Sequence, residues 1–219
     1  MTPTSRDQVL ARIRSALRDV PGTETPDSPP IARDYLHAHV AGTPEQLVDL
    51  LAENLADYRA HVRRCTETDL PDVIGRLLAE HGSRSVAVPD GLPAAWLSGI
   101  GEVTEVYDSP DLTAARLDEV DSVLTGSALA IAETGTVVLN GGPGQGRRIL
   151  TLVPDHHVCI VRVPGQVVAS LPVAMSRLDP SMPATWISGP SATSDIELDR
   201  VEGVHGPRRL DVVLVTESL

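Results

Sequence analysis

Apolar positions recur along this chain with two periods, and their alternation predicts its architecture. Over residues 4–20, Val9, Ile13, Ala16, Leu17 and Val20 fall on one stripe at helical spacing. Thr4 stands as N-cap with Asp7 at the capping-box position. An isolated helix of this length is marginal in water, so it is expected to pack on the main domain or on a second copy of the chain. The stretch 21–30, Pro-Gly-Thr-Glu-Thr-Pro-Asp-Ser-Pro-Pro, offers almost nothing to bury and reads as a linker. The expected organisation is a helix and Pro-rich linker over 1–42 and one main domain over 43–219.

The main domain opens with Thr43-Pro44-Glu45-Gln46, a capping threonine, a proline at the first helical position and a glutamine reaching back. Leu47, Leu50, Leu51 and Leu55 follow at helical spacing. Strand patterns then fall at 62–65, 85–88, 103–107, 120–125, 136–139, 158–163, 185–188 and 210–215. Helical patterns fall at 71–80, ending at Gly82, at 113–117 and at 167–178, where Pro172 should kink or interrupt the turn. Short β-rich runs alternating with helices predict an α/β fold, a mainly parallel sheet flanked by helices. No internal repeat is present.

Composition narrows the chemistry. With no Phe, two Trp and three Tyr among 219 residues, the core must be built from Val, Leu, Ile and Ala, which suits buried parallel strands. The net charge is −12 and every basic residue is Arg. That excludes an internal Schiff-base lysine and the lysine of a P-loop. It also removes the clustered positive field that sequence-independent nucleic-acid binding needs. Small anions held by one or two local arginines stay open. Cys65 and Cys159 alone cannot supply an iron–sulfur ligand set, a zinc ribbon or a disulfide framework. No segment approaches the ~20 apolar residues of a membrane span, and residues 1–10 lack a signal-peptide core, so a cytoplasmic location is expected.

Two glycine-rich segments carry the candidate chemistry. Glu133 is expected on a tight turn between apolar elements, either as an acid bonded to nearby backbone or as a catalytic or ligand-binding carboxylate. Asn140 to Arg148 places four glycines beside Arg147 and Arg148, which reads as an anion cradle or a plain surface loop. It is not a Walker A loop, because Arg147 and Arg148 stand where Lys and Ser/Thr are required. Gly189 to Glu197 is rich in hydroxyls, and Gly203-Val204-His205-Gly206-Pro207-Arg208 follows. Ser191, Asp195 and His205 suggest a hydrolase triad, but the nucleophile-elbow glycine is missing. His156 and His157 should face opposite sides of a strand and so cannot share a metal. His37 and His39 are expected to be solvated and Cys159 to lie in the core.

Taken together, Ala132-Glu133-Thr134-Gly135-Thr136, Gly146-Arg147-Arg148, Pro154-Asp155-His156-His157, Ser188-Gly189-Pro190-Ser191, Thr193-Ser194-Asp195-Ile196-Glu197 and Gly203 to Pro207 resemble the LUD-domain family, in the family's order, from about Thr43 onward. The resemblance implies a NagB/RpiA/CoA-transferase-like fold and support of bacterial L-lactate oxidation to pyruvate beside partner proteins that carry iron–sulfur clusters. This chain would be the member without clusters, and no cofactor is assigned to it. Many relatives carry Arg after Gly-Pro-Ser where this sequence has Ala192. The resulting candidates are Glu133 and His205 for catalysis, with Thr134, Gly135, Arg147, Arg148, Gly189, Ser191, Thr193, Asp195 and Arg208 for ligand binding. A different class stays open: an acyl-CoA or phosphosugar transferase or hydrolase using Glu133.

Overall fold

A computed structural model describes residues 4–20, 34–193, 201–203 and 205–216. Its contacts divide the chain into two units, 1–35 and 36–219. The first unit holds α1 (Ser5–Ala16), capped as the sequence requires. Thr4 Oγ1 accepts from the Asp7 amide, and the Asp7 carboxylate accepts from the Thr4 amide at 3.0 Å. No α1 side chain is buried, and Val9, Ile13, Leu17 and Val20 of the apolar stripe are all exposed. The expected linker lies outside the described residues. Since every apolar core cluster is assembled from residue 48 onward, removal of residues 1–30 is expected to leave a cooperative thermal transition within a few degrees of the full chain's. Loss of that transition would place α1 in the core.

In the second unit the elements follow as α2 (Pro44–Asp57), β1 (His61–Thr66), α3 (Leu70–His81), β2 (Ser85–Val88), β3 (Thr104–Tyr107), α4 (Ala114–Leu117) and β4 (Ser122–Thr125). Then come β5 (Leu129–Ile131), β6 (Thr136–Leu139), β7 (His156–Val163), β8 (Val167–Val168), α5 (Leu171–Arg177), β9 (Thr185–Ile187), β10 (Ala192–Thr193), β11 (Val201–Glu202) and β12 (Arg209–Thr216). Six strands form one wholly parallel sheet in the order β1-β12-β7-β4-β2-β3. Its central strands are buried on both faces: Val158, Ile160, Val213 and Val215 pack on α3, while Cys159, Val161, Val212 and Leu214 pack under α2 and β6. That double burial is why Val158 to Val161 and Val212 to Val215 read as apolar runs without alternation. The C-cap of α3 is Gly82 in the left-handed region, the stop that the sequence marks.

The structure departs from the sequence reading in two places. Strands 136–139 and 185–188 were expected in one mainly parallel sheet. They belong instead to a second, mixed sheet of order β8-β5-β6-β9, in which β6 runs antiparallel to both β5 and β9. Only residues 132–135 separate β5 from β6, and a connection that short permits a hairpin but not a parallel crossover. The helix expected over 167–178 is shorter. Val167 and Val168 form β8, and α5 begins at Leu171 with Pro172 in its first turn, where a missing amide costs nothing. Leu129, Ile131, Val138 and Val168 of the second sheet pack against Ala174 of α5. This sheet matters for function because it carries Glu133 at one end of β6 and the glycine-rich loop at the other.

Candidate functional site

Glu133 sits on the β5–β6 turn, which is fixed from outside. Asn54 Nδ2 on α2 donates to the carbonyls of Ala132 at 2.7 Å and Glu133 at 3.1 Å, and the Glu133 amide donates to Ala169 O at 3.1 Å. Gly135 takes φ of 55°, and a Cβ there would lie 2.7 Å from the Asn54 carbonyl carbon. The position therefore requires glycine twice over, for conformation and for space. The Glu133 carboxylate lies 3.0 Å from His39 Nδ1; His39 is exposed, as expected, and still reaches this partner. A hydroxyl chain leads away from this turn, Thr134 Oγ1 to Thr136 Oγ1 at 2.7 Å and Thr136 Oγ1 to Ser188 Oγ at 2.8 Å.

The glycine-rich loop departs from the far end of β6. Four of its amides already have partners: Asn140 N donates to Gln145 Oε1, Gly142 N to Asn140 Oδ1, Gly144 N to Asp90 O and Gln145 N to Gly142 O. These four amides are therefore not offered to an anion. The two arginines also separate. Arg147 donates through Nε and Nη2 to Asp108 Oδ1 at 2.8 and 2.6 Å, and through Nη2 to the carbonyls of Ser109 and Leu112. It is a clamp on the segment after β3. The Arg148 guanidinium is exposed and has no acidic partner among the described residues.

Arg148 is also where the open volume collects. It lines a cavity of about 630 Å³ along the glycine loop with Arg147, one of about 1060 Å³ with Asp155 and Arg208, and one of about 470 Å³ with His157 and Trp186. The last two share Arg148, Leu152, His205 and Gly206, so His205 stands with Arg148 where they adjoin. The loops here are tied together: Ser191 N donates to Pro207 O at 2.8 Å, and the His205 amide donates to Ser191 Oγ at 3.0 Å. Ser191 Oγ thus meets the backbone of His205, which is not a nucleophile–base arrangement. Asp195 lies outside the described residues, and Thr193 falls on β10, paired with β11. Gly189, with φ of 82°, turns directly against the Tyr58 carbonyl, where a Cβ would overlap that oxygen.

A single convergence of Glu133, Arg147/Arg148 and His205 at the C-terminal ends of parallel strands is not what forms. Asp155 and Arg208, joined at 2.6 Å, immediately precede β7 and β12, and a loop that precedes a strand arrives at its N-terminal end. The His205 loop is therefore at the N-terminal ends of the main sheet. Glu133 lies apart with His39 and Asn54, linked toward the cleft through Thr134, Thr136 and Ser188.

This geometry has known counterparts. A model of the LUD domain matches residues 37–215. A protein named lactate utilization protein C from Deinococcus radiodurans is 44% identical, with 78% of this chain and 80% of that protein covered. The protein of the same name from Exiguobacterium sp. is 31% identical over 98% of this chain and 97% of its own length. The chain belongs to the LUD-domain family. A solved structure described as a DUF162 family protein from Deinococcus radiodurans superposes with a TM-score of 0.67 at 36% identity, covering 80% of this chain and 99% of that one.

At the cleft end of this LUD domain two adjacent histidines do different work. His156 faces α3 in a buried chain: Ser83 Oγ to Ser122 Oγ at 2.6 Å, Ser122 Oγ to His156 Nδ1 at 2.8 Å, His156 Nε2 to Asp211 Oδ2 at 2.9 Å and Arg209 Nε to Asp211 Oδ2 at 2.7 Å. Burial works to raise Asp211, but its bonds with His156 and Arg209 outweigh it and hold the carboxyl below the usual range. His157 points to the other face, as alternation demands, with Nε2 on Thr125 Oγ1 at 2.7 Å. Full burial, with the neighbouring His156 adding to it, pushes His157 down to about 3, so its ring is neutral near pH 7. Burial raises Cys159 to about 12, leaving its thiol protonated and unreactive. Among the described residues no three His, Cys, Asp or Glu side chains gather to hold a metal, and no helix is long and apolar enough to cross a membrane. Asp211 was a site residue the sequence reading missed; its signal was a lone acid at the start of an otherwise apolar strand.

Proposed function

We propose that this chain is a component of a bacterial lactate-utilisation system that supports oxidation of L-lactate to pyruvate together with iron–sulfur partner proteins, and that it binds a small carboxylate at Arg148. The observation that carries the reading is the likeness, over nearly the whole chain, to proteins named lactate utilization protein C. The cleft supports it. An arginine without an acidic partner among the described residues, in a protein of net charge −12, is a natural landing point for an anion. Deleting the gene in its host should abolish or sharply slow growth on L-lactate alone, with restoration by the wild-type chain. A tagged chain from lactate-grown cells should retain iron–sulfur proteins. Undiminished growth after deletion, with no such proteins captured, would refute the reading.

A second reading rests on the Glu133–His39 pair. A quarter-exposed carboxylate against an imidazole, on a turn pinned by Asn54, has the geometry of a general base or nucleophile in an acyl-CoA or phosphosugar transferase or hydrolase. It is favoured if purified chain alone turns over such a substrate and Glu133→Gln abolishes the turnover.

A further inference from the structure

We infer that the cavity of about 630 Å³ along the glycine loop is the binding site of a ribonucleotide, with the base against the loop, the ribose diol on Asp90 and the phosphate on Arg148. The inference goes beyond the lactate reading and does not depend on it. It starts from the topology of the main sheet. From β2 the chain steps outward to the edge strand β3 and then returns past β2 to β4. The outward connection covers one face, where Trp96 and Leu97 pack in one cluster with Val86 and Val88. The return covers the other, where Leu112 and Leu117 pack with Ala87 and Val123. The two connections diverge between β2 and β4, and open α/β sheets bind ligands outside the carboxyl ends of their strands at such a point. Asp90 and Gly91 follow β2 and Asp108 follows β3, so this cavity lies at the carboxyl end of the sheet, opposite the His205 loop.

The glycine loop is built into that crevice. Gly144 bridges the ends of β2 and β4, its amide donating to Asp90 O at 2.8 Å and its carbonyl accepting from Gly126 N at 2.7 Å. Arg147 fixes the side toward β3 through its bonds to Asp108. A loop so held is a wall rather than a phosphate cradle. Gly141, Gly142 and Gly146 bring bare backbone to the cavity, and Leu139, Pro143 and Pro183 add apolar surface. A Cβ on Gly141 would stand 3.8 Å from both Gly146 O and Pro183 Cγ, two other lining residues, so Gly141 borders open space. Backbone without side chains lets a planar ring approach to van der Waals contact. The amides of Gly141 and Gly146 have no partner among the described residues and remain as donors for a ring edge.

Two charged groups complete the set. Asp90 is exposed, and its carboxylate has no partner among the described residues. A carboxylate is an acceptor for two hydroxyls, and an acid near the switch point of such a sheet is a known means of holding a ribose diol. Arg148 has no acidic partner among the described residues and borders the same cavity. Its guanidinium can present two parallel donors to a phosphate. A small acid would use the arginine alone, and a phosphosugar would leave the apolar wall wet. A ribonucleotide uses all three features, and the volume falls in the range that encloses ligands of its size.

The test is calorimetric titration of the full chain with ADP, GDP and CDP, followed by adenosine and 2′-deoxyadenosine, with thermal melts as the folding control. At least one nucleotide is expected to bind saturably, and ADP should bind more tightly than adenosine. Losing a hydrogen bond to a charged group corresponds to roughly a tenfold or greater loss of affinity. Asp90→Asn should therefore weaken ADP and adenosine alike by about tenfold, and 2′-deoxyadenosine should already be weak on wild type and lose little more in the variant. Arg148→Gln should reduce ADP to the affinity of adenosine and leave adenosine unchanged. Arg64→Gln, at an exposed ion pair on β1, should alter nothing. No saturable binding of any nucleotide, an Asp90→Asn variant that binds ADP as wild type does, or deoxyadenosine equal to adenosine on wild type would each overturn the inference. Excess L-lactate should displace ADP but not adenosine. If it displaces neither while the other results hold, the nucleotide site stands and the small acid does not sit at Arg148.

Discussion

Asp211→Ala is expected to destabilise the folded chain by about 3–5 kcal/mol, the cost of removing one partner of a buried ion pair. Asp211 is fully buried, and its Oδ2 receives both His156 Nε2 and Arg209 Nε. Truncation leaves the His156 ring with its Nε2 unmatched in a site that water does not reach. Arg209 is one-quarter exposed and can turn toward solvent, which places the expected loss nearer the lower figure. Asp211 Oδ1 has no hydrogen-bond partner among the described residues, so the native carboxylate is itself incompletely compensated, and this too limits what its loss can cost. Urea denaturation followed by tryptophan fluorescence measures the difference. A shift below about 1 kcal/mol would mean that His156 finds another partner, with Ser122 already on its Nδ1. Asp211→Asn keeps the volume and one acceptor, and should fall between wild type and alanine.

The main sheet was legible because its signal is local and repeated. Val158 to Val161 and Val212 to Val215 are unbroken apolar runs, the pattern of strands buried on both faces, and Thr43-Pro44 and Gly82 punctuate the helices around them. The second sheet was half-legible. Leu129 to Ile131 is three residues long, too short for a period to show, and became a strand only by pairing with Val137 and Val168. The site was legible as residue types but not as partnerships. Arg147 and Arg148 are indistinguishable in sequence, yet one meets Asp108 across 39 positions and the other meets open cavity. His39 and Glu133 lie 94 positions apart, and no local pattern joins them. Which end of the sheet the cleft occupies was legible too. Asp155, His205 and Arg208 stand just before strand patterns, which already fixes them at the N-terminal ends of a parallel sheet.

Stability should fall as the pH drops below neutrality, and His157 sets the window. Its folded-state value is about 3 against an ordinary 6.5, because the ring is fully buried and its neighbour is another imidazole. The unfolded chain therefore binds a proton below pH 6.5 that the folded chain refuses until about pH 3. Wherever the unfolded state binds more protons, stability rises with pH, so this contribution is fully present above 6.5 and is lost as pH falls from there. The slope is about 1.4 kcal/mol per pH unit for one such group. His81, which burial and His156 both lower, acts with the same sign. Asp211 acts elsewhere: a carboxyl held below its ordinary value contributes stability above about 3.8 and loses it only as pH falls further. Between pH 6.5 and 5.5 the carboxylates as a class stay ionised, so the histidine effect should be read cleanly, as a drop of about 1–2 kcal/mol in urea unfolding free energy. Repeating the series with His157→Gln, if that variant folds, should flatten the slope. A wild-type profile that is level across this window would show that the folded protein accepts the proton at His157, through an opening of the cavity beside Leu152 and Leu210 that lets water reach the ring.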